Sequence, residues 1–381
     1  MKVALVYDRV NKIGGAEKVL QALHEIWPDA PLFTSVYSKK NASWAKDFRV
    51  IPSFLQHIPF AKKAHEFFPG LTPMAFESFN LKSFDVVISV TSAEAKSVIT
   101  TPKQIHICYC LTPTRYLWSG YWDYLQNPGF NLLNPIAKAV FWLNAPKMRI
   151  KDFVSAKQPD FYLAISKAVQ KRIKKYYRRE SIIIHPPINI SAISNQQSAI
   201  LRLRSGRVSK KPSYFLVVSR LVPYKRIDLI VKTFNQMGLK LKIAGVGSQL
   251  SFLQKIAKRN IEFLGNISDN SLSDLYFNCQ ALIMAADEDF GITALEAQAA
   301  GRPVIALKKG GALDTIIEGK TGLFFKSQTT SDLKLAINKF KRLKFKPLDC
   351  KSNAEKFSKS IFIKKFKKFT EDKWKQKQIQ K

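Results

Sequence analysis

Short β-branched runs alternate with helical patterns twice along this chain, and that alternation restricts the fold more than any other feature. In the first half the runs are Val3–Tyr7, Leu32–Val36, Val86–Val90, Ile105–Cys110 and Tyr162–Ile165, with a helical pattern from Ala16 to Ile26. In the second half they are Tyr214–Ser219, Leu241–Ala244, Ile261–Leu264, Leu282–Ala285 and Val304–Leu307. Helical patterns Arg226–Met237, Gln249–Arg259, Ser271–Asn278 and Thr293–Ala300 separate them. Runs of this kind joined by helices predict parallel sheets with right-handed crossovers, an α/β chain. Between the halves, His185-Pro186-Pro187 halts the pattern, and a polar stretch from Ser191 to Lys211 follows. Two successive prolines fix φ twice, so a hinge is expected there. A chain of 381 residues suits two such units, each with its own core. In sheets of this type ligands sit beyond the carboxyl ends of the strands, so chemistry belongs in the loops that follow them.

Composition removes several classes. A hydrophobic content of 46% with 12% aromatics is that of a packed protein. Met1 to Asp8 runs straight into a strand pattern, so no signal peptide is expected, and no apolar stretch reaches the ~20 residues that span a bilayer. Four scattered cysteines, Cys108, Cys110, Cys279 and Cys350, suit a reduced cytosolic core better than a zinc site or disulfide framework.

The net charge of +34 will attract polyanions, either nucleic acid or an anionic membrane face. Two basic segments are organised: Lys167 to Arg179, and the tail from Lys334, where Phe357, Phe362, Phe366 and Phe369 recur at near-helical spacing among lysines. Such segments either lie on anionic lipid or pack their apolar stripes on the protein, and the sequence leaves both open.

Gly14-Gly15 follows the first strand and opens the first helix, where backbone approaches a ligand closely. The dinucleotide fingerprint G-x-G-x-x-G with its downstream acid is absent there, and Gly245-Val246-Gly247 lacks the third glycine, so NAD binding is disfavoured. Arg220 and Lys225 sit at the carboxyl end of the first strand of the second half, where two cations can converge on a diphosphate.

The most specific segment is Glu288-Asp289-Phe290-Gly291-Ile292-Thr293-Ala294-Leu295-Glu296. It places Glu288 in a loop, Gly291 at a helix start and Glu296 about one turn inside. Carboxylates on both sides of a helix N-terminus offer acceptors to sugar hydroxyls flanking a bound phosphate. Helix-start acids stabilised by the macrodipole account for Glu288 and Asp289 but not for Glu296 in an otherwise apolar helix. Asp287-Glu288-Asp289 also fits a D-x-D metal pattern; with Arg220 and Lys225 available for the diphosphate, no metal is expected.

Taken together, these segments resemble the family 4 glycosyltransferases of the GT-B fold, most closely the mannosyltransferases of O-antigen assembly that use GDP-mannose. The resemblance rests on IGGAEKVL, ITTPKQIHICYCLTPTRYLW, VVSRLVPYKRIDLIV, EDFGITALEAQAAGRPVIA and GGALDTIIEGKTGLFF. It implies two Rossmann-like α/β/α domains facing an interdomain cleft. Residues 1–186 would form the acceptor side and 187–354 the nucleotide-sugar donor side. A helix at 355–373 would pack back on the first domain, and 374–381 would be a basic tail.

By the same resemblance Glu296 binds the ribose, Glu288 the hexose hydroxyls, Arg220 and Lys225 the leaving diphosphate, and Gly291, Ile292 and Thr293 the sugar or phosphate. Gly245, Gly14 and Gly15 add donor contacts. The implied reaction retains anomeric configuration without a cofactor or metal. Its partners would be GDP-mannose and a glycan or polyprenyl-linked acceptor, at the inner face of the cell membrane. Leu111 stands where related sequences often have histidine, which leaves Arg115 as the acceptor-side candidate. The aromatic stretch Tyr116 to Trp142 lies where an acceptor or lipid could dock, with buried packing the expected role. The rival readings are a nucleic-acid-binding protein, which leaves Arg220, Lys225, Glu288 and Glu296 unexplained, and an epimerase or sugar-phosphate synthase of the same fold.

Overall fold

The computed structural model describes residues 1–12, 14–58, 71–126, 134–190 and 212–379. The polar stretch 191–211 and the tail end 380–381 therefore lie outside the described residues. The chain divides into two units, Met1–Pro187 with Phe362–Lys381, and Ile188–Ile361.

The first unit holds a seven-stranded parallel sheet in the order β3-β2-β1-β4-β5-β6-β7. Its strands are β1 (Val3–Tyr7), β2 (Leu32–Thr34), β3 (Val50–Pro52), β4 (Val86–Thr91), β5 (Ile105–Cys110), β6 (Phe161–Ala164) and β7 (Ile182–Ile183). The second unit repeats the plan with six strands, β10-β9-β8-β11-β12-β13. These are β8 (Tyr214–Val218), β9 (Leu241–Ala244), β10 (Ile261–Gly265), β11 (Cys279–Met284), β12 (Val304–Leu307) and β13 (Gly322–Phe325). All registered pairs are parallel, as in β1 beside β4, where Val3 lies opposite Val86 and Tyr7 opposite Val90. Both sheets are doubly wound, the expected GT-B architecture. The short edge strands β3, β7 and β13 escaped the sequence reading because they span only 3, 2 and 4 residues.

Alternation along the strands builds a core on each face of the second sheet. Phe215, Val217, Ile243, Ile283 and Ile305 point to one side, under the helices Ile227–Met237 and Thr330–Arg342. Leu216, Leu282, Val304 and Ala306 point to the other, under the helix Ile292–Ala299.

The phenylalanines of the basic tail pack on the protein. Pro347–Glu355 and Lys359–Ile379 are helices. On the second of these Phe362 and Phe366 are buried, with ring centres 5.9 and 5.7 Å from that of Tyr109 in β5. The other basic segment is a helix, Lys167–Arg172, followed by one π turn, and its Val169, Ile173 and Tyr177 are buried too. In the tail Phe369 is half-buried, and Leu335, Leu343, Leu348 and Ile379 remain exposed. The aromatic stretch 116–142 departs from expectation: Leu117 and Tyr121 are buried, but Trp122 and Trp142 are exposed.

His106, in β5, is fully buried, with Nε2 2.8 Å from the Ser89 hydroxyl. Burial pushes its pKa down to about 3. An unfolded imidazole takes up a proton near pH 6.5 while the folded one does not until about 3. Folding stability should therefore fall as pH drops through that window, by up to ~1.4 kcal/mol per unit. Urea unfolding at pH 7, 5 and 4 checks this. His106→Asn should flatten the acid limb, and an identical limb in the variant would assign the loss to other groups.

Candidate active site

The sheet order of the second unit dictates where a ligand can sit. β8 lies between β9 and β11, so the chain leaves β8 on one side and returns on the other. The crevice beyond the carboxyl ends of β8 and β11 is the switch point, where doubly wound sheets bind ligands. Residues 219–226 and 285–291 form the loops that border it.

An ion pair joins these loops. Lys225 Nζ stands 2.5 Å from both carboxylate oxygens of Glu288, and the two side chains are only 14% and 20% exposed. Arg220, exposed, donates to the Tyr224 hydroxyl at 2.5 Å. The Arg220 and Lys225 cations lie 6.0 and 5.2 Å from the centre of the Tyr224 ring, whose electron-rich face attracts both. Two cations therefore share one tyrosine ring at the mouth of the sheet, and one of them pairs with a carboxylate.

Local backbone chemistry fixes this placement. Lys225 ends a single 3-10 turn, Pro223–Lys225, and Arg226 reverses it at once with φ 53. The Arg226 side chain reaches Asp228 Oδ1 and Gln328 Oε1, each at 3.3 Å, and Gln328 donates to the Ala285 carbonyl at 2.7 Å. The first loop is thereby tied to the start of the second. On the far side, Gly310-Gly311 after β12 seats the Glu288 loop. The Gly311 N–H donates to the Glu288 carbonyl at 2.7 Å, and a Cβ on Gly311 would lie 2.2 Å from Phe290 Cα. Only glycine permits that approach. Gly245, at the end of β9, is as tight: a Cβ there would lie 1.9 Å from the Ser219 carbonyl oxygen.

Gly291, at φ 90, caps the helix Ile292–Ala299. Ile292 and Thr293 form its first positions, where N–H groups have no intrahelical partner and the dipole favours an anion. Glu296 lies one turn in, buried, with Oε2 accepting from the Tyr276 hydroxyl at 2.9 Å. A buried amide network holds the helix itself: Asn353 donates to Gln298 Oε1 at 2.7 Å, and both side chains donate to the Thr315 carbonyl. Among the described residues no group of three or more His, Cys, Asp or Glu side chains gathers as a metal set.

Tyr224, Tyr276, Arg226 and the Gly310-Gly311 pair are site residues that the sequence reading missed as such. The glycine doublet at a strand's carboxyl end was the one available signal. The tyrosines carried none, because their roles depend on partners in distant segments.

Gly14, Gly15 and Arg115 belong to the first unit. Gly14 caps the helix Gly15–Ile26 in an extended conformation. A Cβ there would stand 3.1 Å from Glu17 Oε2, so a carboxylate already answers the positive end of that helix dipole. Glu17 is buried and accepts from the Tyr7 hydroxyl at 2.8 Å. Across this sheet's own switch point, Asp8 after β1 accepts from Thr91 Oγ1 at 2.6 Å, Ser92 N–H at 2.8 Å and Ala95 N–H at 2.9 Å. Burial, then the Asp8 charge, push the neighbouring Glu94 carboxyl above the usual range, and it accepts from Tyr116 at 2.9 Å. Arg115 is half-buried in the loop after β5, its carbonyl accepting from Gly120 N–H at 2.8 Å.

Paired cations, a loop carboxylate and a buried carboxylate in the next helix thus border one switch-point crevice. Residues 202–357, which carry this set, match the model of glycosyl transferases group 1. That stretch is similar to the group 1 glycosyl transferases, over less than half of the chain. An uncharacterized glycosyltransferase of Methanocaldococcus jannaschii is 24% identical over 180 residues, 46% of this chain and 48% of that protein. A GDP-mannose-dependent alpha-(1-6)-phosphatidylinositol monomannoside mannosyltransferase of Mycolicibacterium smegmatis is 26% identical over 183 residues, 43% of this chain and 48% of that protein. The chain thus spans about half the length of these curated relatives. The fold extends further than the identity. HepE of Anabaena, solved with UDP and glucose, aligns over 97% of this chain and 99% of its own with a TM-score of 0.68 at 15% identity.

Proposed function

We propose that the protein is a retaining, metal-independent glycosyltransferase that moves a hexose, mannose from GDP-mannose, to a glycan or polyprenyl-linked acceptor of a surface polysaccharide. The observation that carries this reading is the Lys225–Glu288 pair bridging the loops after β8 and β11, with Arg220 beside it. In such a transfer the bond from the anomeric carbon to the diphosphate oxygen breaks, and an acceptor hydroxyl oxygen takes its place. Negative charge grows on the departing diphosphate, so cations fixed before the reaction supply the main electrostatic stabilisation. Arg220 and Lys225 fill that role. Glu288 accepts hydrogen bonds from hexose hydroxyls and Glu296 from the ribose, with the helix start at Ile292–Thr293 against phosphate. The GDP-mannose assignment draws on the substrate for which the mycobacterial relative is named, whereas the Anabaena structure holds UDP and glucose.

The test is a panel of GDP-, UDP- and ADP-sugars with EDTA present, scored by thermal shift and donor hydrolysis for wild type and Glu296→Ala. Stabilisation by GDP-mannose, lost in the variant, is the expected result. A response confined to UDP- or ADP-sugars would keep the site and change the donor. No response to any donor, with tight salt-sensitive nucleic-acid binding instead, would sink the reading.

A further inference from the structure

The helix Asn134–Ser155 is apolar on two faces, and packing explains only one. Ala145 and Asp152 face inward and are buried. On the outer side Trp142, Leu143 and Ile150 are 59%, 63% and 65% exposed, with Val140 and Val154 also exposed. At 100° per residue, Trp142, Pro146, Leu143, Ile150 and Val154 form one stripe roughly 120° wide. Lys147 and Lys151 lie along one edge of that stripe, and Lys138 and Arg149 along the other. Between residues 134 and 157 the sequence has five basic residues and one acid, Asp152. That acid is on the buried face, so the exposed side is uniformly cationic. Trp122, 70% exposed on the neighbouring helix Tyr121–Gln126, shares with Trp142, Leu143 and Pro146 the walls of a cavity of about 460 Å³. Arg149 also lines it, its guanidinium 4.1 Å from the Tyr121 ring centre.

We propose that this face docks the protein on an anionic phospholipid surface, with the helix lying in the interfacial plane and Trp122 and Trp142 among the headgroups. Cationic edges around a centre of Trp, Leu, Ile and Val match the requirements of an interfacial helix. A protein partner would be expected to meet fewer lysines at such a centre. Nucleic acid gains little from Leu143, Ile150 and Val154, which offer neither charge nor a stacking ring. No described helix is long and apolar enough to cross a membrane, so the contact is parallel to the surface. The inference is independent of the donor site and goes beyond it.

The full chain is incubated with phosphatidylcholine vesicles with and without phosphatidylglycerol, and binding is read by cosedimentation and tryptophan emission. Binding only to the anionic vesicles, weakened by salt and accompanied by a blue shift, is expected. Lys147→Gln with Lys151→Gln should lower the partition about 25-fold, at roughly fivefold per cation. Trp142→Ser with Leu143→Ser should lower it at least about tenfold. Both pairs are exposed, so unfolding midpoints and nucleotide-sugar thermal shifts should match wild type, which separates failure here from failure of the donor reading. Equal binding by wild type and variants would overturn the proposal. So would a wild-type dimer that the Trp142/Leu143 variant turns into monomer.

Discussion

Lys225→Ala is expected to lower sugar transfer about 10²–10³-fold while leaving the protein folded. Lys225 has two duties that the experiment must separate. It pairs with Glu288 at 2.5 Å, and it presents charge to the crevice beyond β8 and β11. If pairing were its whole purpose, removal would leave a part-buried carboxylate without its partner and the defect would be one of stability. Glu288→Gln would then rescue Lys225→Ala, because the unpaired charge would be gone. If the ammonium neutralises the leaving diphosphate, the double variant stays slow. The loss also falls on kcat as well as kcat/KM, because charge grows only as the bond breaks. Lys225→Arg keeps the charge but not the reach through a single 3-10 turn, and should recover only part of the rate. Single-turnover rates with each candidate donor supply the readout. A Lys225→Ala enzyme with unchanged kcat, or a double variant restored to wild-type rate, would remove Lys225 from the chemistry.

The two sheets were legible from sequence because central strands of a doubly wound sheet are buried on both faces and read as β-branched runs. β1, β5, β9 and β12 have in the structure the same limits that their residues suggest. β13 and β7 were not legible: Gly322-Leu323-Phe324-Phe325 opens on a glycine, and Ile182-Ile183 is two residues long. At the site, chemistry-bearing residues stood out where local spacing was enough, as with Glu288 and Glu296 around a helix start. Their partners did not. Lys225 and Glu288 are 63 residues apart, and only the crossover from β10 to β11 brings their loops together. Tyr276, buried against Glu296, reads in sequence as one more core aromatic. The exposure of Trp122 and Trp142 went against the packing expected of the stretch 116–142 for the opposite reason. A helix apolar on two sides gives no periodic signal that tells the covered side from the open one.

Asp152→Asn should produce the largest loss of stability of any single change at a buried charge here. Asp152 lies on the inner face of the helix whose outer face carries Trp142, and it binds three donors: Lys96 Nζ at 2.6 Å, Thr114 Oγ1 at 2.7 Å and Trp118 Nε1 at 2.6 Å. Lys96 is 1% exposed and otherwise donates to the Ala93 carbonyl. Burial pulls the lysine pKa down, but the Asp152 charge outweighs it and holds the ammonium above its usual range. Without that charge a buried ammonium remains, a cost of about 3–5 kcal/mol. For a unit of this size that corresponds to a fall of roughly 6–20 °C in unfolding midpoint. Because the folded pKa of Lys96 is raised, its contribution is fully present below the unfolded value near ~10.4 and fades only as pH rises toward the folded value. The wild-type contribution is therefore constant from pH 6 to 9, whereas desolvation lowers the pKa of an unpaired buried amine, so the deficit of the variant should narrow as pH rises through that range. Adding Lys96→Met removes the stranded charge, so the double variant should be more stable than Asp152→Asn alone. A double variant that simply sums two losses would show that the pair acts through packing. The same contacts anchor Thr114 and Trp118 on either side of Arg115, so Asp152→Asn should also free the loop after β5. Faster amide exchange across residues 112–120, with β1 and β4 unchanged, is the corresponding signature.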